Sequence, residues 1–84
     1  MNENKIKYKN EYKKQPFLTV VIPCLNESKN ICQAIDIVKK LIDNVDAEIL
    51  VIDDKSDDET YAIAKKHIEI QKYNNVRIIT RDLE

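Results

Sequence analysis

Two short polar segments of this 84-residue chain hold the side chains that are best suited to binding a small ligand. Residues 23–27 read PCLNE and residues 53–56 read DDKS, and each segment follows directly on an apolar run. Carboxylate and amide oxygens accept hydrogen bonds, so both segments suit a ligand that is rich in N–H and O–H donors. Ligands of open parallel sheets bind in the crevice outside the carboxyl ends of the strands. We therefore expect the two segments to form the walls of one crevice.

The absence of glycine from the whole sequence limits what that ligand can be. The dinucleotide-binding turn and the P-loop both need glycine, because their backbones approach phosphate groups without intervening side chains. The acids of the two segments would also repel a phosphate, but they can accept hydrogen bonds from a base and from ribose hydroxyls. The acids can equally be explained without a ligand, since acidic residues before a helix commonly act as caps.

The consecutive acids Asp53 and Asp54 are expected to have different roles. Side chains of consecutive residues in an extended chain point to opposite sides. One of the two should therefore face the crevice, while the other should serve the structure of the turn.

Three other side chains carry reactive groups but are expected to be structural. His67 lies in the middle of a helical pattern with no acid placed to pair with it, which favours a half-buried structural role. Cys24 has no evident base nearby, so its thiol should be inert. Arg81 follows the last apolar run; it could face the crevice, but it is expected at a solvated edge.

Three short runs rich in β-branched residues must place the polar segments. Residues 18–22, 48–52 and 76–80 have the length and composition of β-strands. Pro23 is expected to end the first strand, because proline has no N–H to donate to a sheet ladder. The runs are apolar on both faces, as is typical of parallel sheets that are covered on both sides.

Apolar residues recur at helical spacing between these strands. The first helix is expected from Ser28 to about residues 43–44, and the second is expected to end near Tyr73. Ser56 and Glu59 have the spacing of a capping box, which predicts Ser56 as the N-cap of the second helix. The order strand, helix, strand, helix, strand predicts parallel strands joined by right-handed crossovers.

This arrangement leaves one face of the predicted sheet without a covering layer. If the strands lie in the order three, two, one, right-handed crossovers put both helices on the same face. Alternate residues of the runs at 18–22 and 49–52 would then form an exposed apolar patch, which favours aggregation or a partner. We therefore expect the natural folding unit to be longer than this chain.

The composition is typical of one globular domain, with 43% hydrophobic and 35% charged residues and a net charge of −1. Residues 1–15 carry five lysines and are expected to be a polar tail, with the domain spanning residues 16–84. Peripheral contact with an anionic membrane is the functional alternative for that tail. Cys24 and Cys32 match no metal or redox spacing, so we expect reduced thiols in a cytoplasmic protein, with any membrane association at the cytoplasmic face.

Residues 21–27 and 52–60 together resemble two motifs of family 2 glycosyltransferases. VIPCLNE is similar to the VIPxYNE opening of that family, and IDDKSDDET is similar to its DDGSxDxT segment. The resemblance covers residues 17 to about 81. It implies an α/β fold, namely the three-stranded parallel βαβαβ half of a GT-A, Rossmann-like nucleotide-binding fold. A looser similarity is to dolichyl-phosphate and polyprenyl-phosphate mannose synthases.

By position, the resemblance implies six residues that bind the nucleoside of a UDP- or GDP-linked sugar. They are Pro23, Leu25, Glu27, Ile52, Asp53 and Asp54. Leu25 replaces the usual aromatic residue, which reduces base stacking to apolar contact. Lys55 replaces the usual glycine; if this position needs a positive φ, lysine costs about 1 kcal/mol. Alternatively, its ammonium group neutralises the acid pair.

The resemblance also implies a reaction, in which a sugar passes with inversion from its nucleotide to an acceptor hydroxyl. A carboxylate base and Mg²⁺ or Mn²⁺ would serve that reaction. The metal motif and the base of the family would lie beyond Glu84, so no catalytic or metal-binding residue is assigned. We expect residues 1–84 to be an N-terminal fragment that is inactive alone. No nucleic-acid partner is expected, because the chain has no basic and aromatic patch.

Two other classes of protein remain open. A small α/β module could bind a nucleotide or a partner without catalysis. A receiver-like signalling domain also has adjacent acids, but it needs them after the first strand and a phosphate-accepting aspartate after the third. Here the acid pair follows the second strand, and Thr80 and Arg81 stand at the end of the third.

Overall fold

The computed structural model describes residues 17–81, which form one layer of strands and one layer of helices. The elements in chain order are β1 (Leu18–Cys24), α1 (Ile31–Leu41), β2 (Ala47–Asp53), α2 (Thr60–Gln71) and β3 (Val76–Thr80). The predicted α/β class and the alternation of strands and helices are confirmed. The proposed tail at residues 1–15 and the domain boundary at residue 16 lie outside the described residues.

The sheet has the strand order β1-β2-β3, and both strand pairs are parallel. At its carboxyl edge Cys24 is aligned with Asp53, and Asp53 is aligned with Thr80. The segments that follow β1 and β2 are therefore neighbours, as predicted. β2 is the central strand, which explains why Ile49 and Val51 have no exposed surface.

β1 continues through Pro23 to Cys24, so the expectation that Pro23 ends the strand is wrong. The Cys24 carbonyl accepts a hydrogen bond from the Asp54 N–H at 2.9 Å, which directs the backbone polar groups of Cys24 toward β2. Because these groups alternate along a strand, the nitrogen of Pro23 faces the open edge. Proline removes no ladder hydrogen bond at that position of an edge strand.

Both helices begin later than the apolar pattern predicts, at Ile31 and at Thr60. The predicted capping box is not formed, because the N-cap residue of α2 is Glu59 and it makes no side-chain capping hydrogen bond. The Ser56 hydroxyl donates instead to Asp53 in the preceding turn. A serine that bonds backward in this way competes with helix capping, which explains the later start.

The hydrophobic core lies between the sheet and the two helices. Its buried members are Cys24, Ile31, Ile35, Ile42, Ala47, Ile49, Val51, Ala64, Ile68 and Val76. α1 and α2 contact each other as well as the sheet, because right-handed crossovers place both on one face. Each fully buried isoleucine contributes about 1.5–3 kcal/mol, so this layer is the main source of stability. Neither helix of residues 17–81 is long and apolar enough to cross a membrane.

The opposite face of the sheet is covered by none of the described residues. Val21 and Ile79 are 49% and 41% exposed, and Leu50 and Ile52 between them are half-buried. Val21 is aligned with Leu50, and Ile52 is aligned with Ile79, so these side chains form one continuous apolar patch. The structure therefore has the uncovered face that the strand order predicts.

Candidate functional site

An open cleft lies at the carboxyl edge of the sheet, where the two polar segments meet. Its volume is about 230 Å³, and its lining consists of Pro23, Cys24, Leu25, Glu27 and Asp54. Ile52 is aligned with Pro23 in the sheet and lies on the uncovered face beside the cleft. The structure thus brings four of the six predicted site residues into one lining and places Ile52 next to it.

Asp54 enters the cleft from the end of β2 and forms an ion pair with Arg81. The Arg81 Nε and Nη2 atoms each lie 3.4 Å from a carboxylate oxygen of Asp54. The Arg81 backbone N–H donates to the Asp53 carbonyl at 2.8 Å, which anchors the arginine at the sheet edge. Arg81 is exposed, as expected, but the sequence interpretation missed its ion pair. The signal was available, since aligned strand ends put the residue after β3 beside the residue after β2.

Asp53 points away from the cleft, toward the helices, and is only 2% exposed. One of its carboxylate oxygens accepts a hydrogen bond from the Ser56 hydroxyl, and the other accepts from the Ser56 N–H at 3.3 Å. A buried carboxylate needs such donors, because desolvation is otherwise costly. Asp53 therefore stabilises the turn, while Asp54 lines the cleft, which is the division of roles expected for consecutive acids.

Cys24 is a weak acid in this environment. Burial, followed by the charges of Asp53, Glu27 and Asp58, raises the pKa of the Cys24 thiol to about 11. The thiol is therefore almost entirely protonated at neutral pH, and the protonated form is a poor nucleophile. This supports the expectation that Cys24 is inert.

Glu27 is held at the cleft mainly through its backbone. Its N–H donates to the Thr60 hydroxyl at 2.9 Å, and its carbonyl accepts from the N–H groups of Asn30 and Ile31 at 2.9 and 2.8 Å. The Glu27 carboxylate is exposed, and the Asn30 side-chain amide donates to it at 3.5 Å. A hydrogen bond of that length is weak, so the carboxylate can still accept a donor from a ligand.

Asn26 joins the two polar segments. Its side-chain oxygen accepts hydrogen bonds from the N–H groups of Asp57 and Asp58 at 2.8 and 3.3 Å. Its own N–H donates to the Ser56 hydroxyl at 2.8 Å, and the Ser28 N–H donates to the Asp58 carboxylate at 3.3 Å. The sequence interpretation missed this role. Rules based on local spacing do not examine pairs that are about thirty residues apart.

Lys55 occupies the glycine position of the DDGSxDxT motif, and its backbone φ is 56°. This is the left-handed region, where a residue with a Cβ costs about 1–2 kcal/mol. Lys55 therefore has the positive φ on which the predicted energetic cost of a lysine at this position depends.

The cleft is acidic, but its carboxylates do not form a metal site. Glu27 and Asp54 line it, and Asp57 and Asp58 follow directly after the second segment. Within residues 17–81, no three His, Cys, Asp or Glu side chains are grouped so that they could hold a metal ion. The described residues thus do not fit the Mg²⁺ or Mn²⁺ site that the family resemblance implies, and no metal-dependent step is assigned to them.

A second group of polar side chains lies on the helices, away from the cleft. The Asp36 Oδ1 atom is 2.8 Å from both His67 Nε2 and the Tyr73 hydroxyl. Spacing along α2 offers His67 no partner acid, but Asp36 on the neighbouring helix, 31 residues earlier, is its partner. A groove of about 480 Å³ beside this group is larger than the cleft. We nevertheless assign the site to the cleft, because ligands of open parallel sheets bind at the strand ends.

Comparison with known protein families matches most of the chain to one of them. The sequence model described as "Glycosyl transferase family 2" matches residues 19–83, which is more than half of the chain and includes both polar segments. Three parallel strands that alternate with two helices are consistent with half of the GT-A fold. Comparison with curated protein sequences gave no match.

Proposed function

Because this chain belongs to glycosyltransferase family 2, we propose that its strand-end cleft binds the nucleoside part of a nucleotide-sugar donor. The observation that carries the proposal is the presence of Glu27 and Asp54 in the lining of one cleft. The family generally uses nucleotide-sugar donors, and UDP- and GDP-linked sugars are the donors expected here. In this proposal the chain contributes donor binding to a sugar-transfer reaction.

The cleft offers hydrogen-bond acceptors and apolar surface, both of which a nucleoside needs. Glu27 and Asp54 accept hydrogen bonds from the N–H groups of the base and from the ribose hydroxyls. Pro23 and Leu25 contact the base, and Ile52 lies beneath it. Leu25 is 53% exposed and gives apolar contact only, because it lacks the ring face on which a base stacks.

Asp53 and Arg81 support this site through Asp54. Asp53 fixes the turn by binding Ser56, so that the next residue is directed into the cleft. Arg81 orients the Asp54 carboxylate through the ion pair at 3.4 Å. We therefore keep Asp53 in the proposed site as a positioning residue that does not itself reach the nucleoside.

The proposal assigns donor binding, and not sugar transfer, to residues 1–84. Inverting transfer needs a carboxylate that removes the proton of the acceptor hydroxyl, whose oxygen then displaces the nucleoside diphosphate from the anomeric carbon. The carboxylates of the cleft, Glu27 and Asp54, are assigned to the nucleoside. We expect no sugar transfer by this chain without further residues.

The proposal is tested by calorimetric titration of the chain with UDP, GDP, TDP and their sugars. Asp54→Ala is expected to weaken nucleotide binding about tenfold or more, since a hydrogen bond to a charged group contributes about 1.5–3 kcal/mol. Glu69→Ala is the matched control, because Glu69 is an exposed acid on α2 that pairs with Lys65 far from the cleft. If no nucleotide binds, the proposal fails, and a module that binds a partner without catalysis becomes the better interpretation.

A further inference from the structure

We infer that Thr60 is a positioning residue for Glu27, and this inference rests on the proposed function of the cleft. Thr60 is the first residue of α2, and its side chain is fully buried although it is polar. Its hydroxyl accepts a hydrogen bond from the Glu27 N–H at 2.9 Å and donates one to the Asp58 carboxylate. The threonine thus links the helix to the segment that carries Glu27.

The two hydrogen bonds of the Thr60 hydroxyl fix its orientation. A hydroxyl has one hydrogen to donate and two lone pairs that accept. Because the hydrogen is directed to Asp58, the lone pairs are directed to the Glu27 segment. The Asp58 carboxylate is itself held by the Thr60 N–H at 2.9 Å and by the Ser28 N–H at 3.3 Å, so the acceptor of the hydroxyl is also fixed.

The hydrogen bond to Thr60 holds the second polar group of the Glu27 backbone, its N–H. The Glu27 carbonyl is already held from within its own segment, by the N–H groups of Asn30 and Ile31. The Glu27 N–H is held by Thr60, which is 33 residues later in the sequence. The direction in which the Glu27 side chain leaves the backbone is therefore set from both sides, and one side depends on a single hydroxyl.

Thr60→Val tests this inference, because it replaces the hydroxyl by a methyl group of similar size. We expect nucleotide binding, measured by calorimetry with UDP and GDP, to weaken about three- to tenfold, as one ordinary hydrogen bond is lost. Thr60→Ser keeps the hydroxyl and is expected to bind nearly as well as the unaltered chain. Equal binding by Thr60→Val and the unaltered chain would overturn the inference.

A double-mutant cycle with Glu27→Ala separates positioning from a general effect on the fold. If Thr60 acts through Glu27, Thr60→Val has little effect on nucleotide affinity once the Glu27 side chain is absent. If it only stabilises the fold, it weakens binding by the same factor in both backgrounds, and the inference is wrong. Far-UV circular dichroism of all four proteins establishes that each is folded.

Amide hydrogen exchange of the unaltered chain provides a measurement that does not depend on the folding of any variant. The Glu27 N–H is expected to exchange at least tenfold more slowly than an unprotected amide of the same sequence, because the Thr60 hydroxyl holds it. Unprotected exchange would overturn the inference even if nucleotides bind. A protected amide in a chain that binds no nucleotide would instead identify the proposed function as the error, and the positioning role would be lost with it.

Discussion

Lys55→Gly is expected to make the protein more stable, although it removes a charged side chain next to the cleft. The Lys55 φ of 56° costs a residue with a Cβ about 1–2 kcal/mol, and glycine adopts it freely. Glycine also gains freedom in the unfolded chain, which offsets about 0.5–1 kcal/mol of that benefit. We therefore expect a net gain of up to about 1.5 kcal/mol.

Two other lysines provide matched controls for this prediction. Lys72 has a φ of 58° at the end of α2, so Lys72→Gly should give a similar gain at a position away from the cleft. Lys66 lies within α2 and is exposed, so Lys66→Gly should destabilise the fold by about 1 kcal/mol. All three substitutions remove one positive charge, so a general effect of net charge cancels when they are compared.

Urea unfolding followed by circular dichroism measures these changes, provided that the denaturant slope is unchanged among the variants. A gain of 1 kcal/mol corresponds to a rise of about 4–8 °C in Tm for a domain of this size. A loss of stability in Lys55→Gly beside a gain in Lys72→Gly would refute the reasoning at Lys55, since the lysine side chain would then contribute more than its backbone costs. A loss in both would refute the left-handed geometry itself.

Two further predictions concern ionisable groups. Burial alone would raise the pKa of Asp36, but the hydrogen bonds from His67 and Tyr73 outweigh it and hold this pKa below its usual value of 3.8. The stabilisation from Asp36 is therefore fully present above that value and is lost as the pH falls below it through the folded-state pKa. Asp36→Asn should reduce this acid-dependent loss of stability, measured by urea unfolding at a series of pH values; an unchanged pH profile would contradict the role of Asp36. The second prediction is that iodoacetamide modifies Cys32 before Cys24 at neutral pH, because Cys24 is buried and has a pKa of about 11. Peptide mass spectrometry over time gives the order, and faster modification of Cys24 would show that its thiol is accessible and ionised.

The sheet could be predicted from the sequence because its causes are local. Each strand is a run rich in β-branched residues, and the helical spacing between the runs predicts parallel strands with right-handed crossovers, which lie on one side if the strand order is three, two, one. The uncovered face followed from the same rule. The extent of β1 could not be predicted in this way, since Pro23 is acceptable only because β1 is an edge strand and its nitrogen faces outward. Whether β1 is an edge strand depends on the arrangement of all three strands.

The start of α2 could not be predicted from spacing, because side-chain hydrogen bonds outside the helix decide it. Ser56 and Glu59 have the spacing of a capping box, but the Ser56 hydroxyl donates to Asp53 and accepts from the Asn26 N–H. The residues before α2 therefore bond to the other polar segment, and the helix begins only at Thr60. The partnership of His67 with Asp36 was missed for the same reason, because its members lie on different helices.

The alternation of side chains predicted that Asp53 and Asp54 have different roles, but the alternation did not assign the roles. Alternation along a strand requires that one acid faces each side of the sheet. Both sides of β2 are apolar in sequence, so the pattern does not tell which side the helices cover. The structure settles this, because the helices cover the side of Ile49 and Val51, and Asp53 continues that side.

The residues of the first polar segment also have different roles, and this difference determines how binding data must be interpreted. Leu25 and Glu27 line the cleft, while Asn26 between them bonds to the second segment. Substitution of Asn26 or Thr60 would therefore move Glu27 without removing any group that touches a ligand. A loss of affinity alone cannot distinguish these residues from Glu27 and Asp54. A double-mutant cycle with Glu27→Ala distinguishes them, because a residue that acts through Glu27 loses its effect on affinity when that carboxylate is absent.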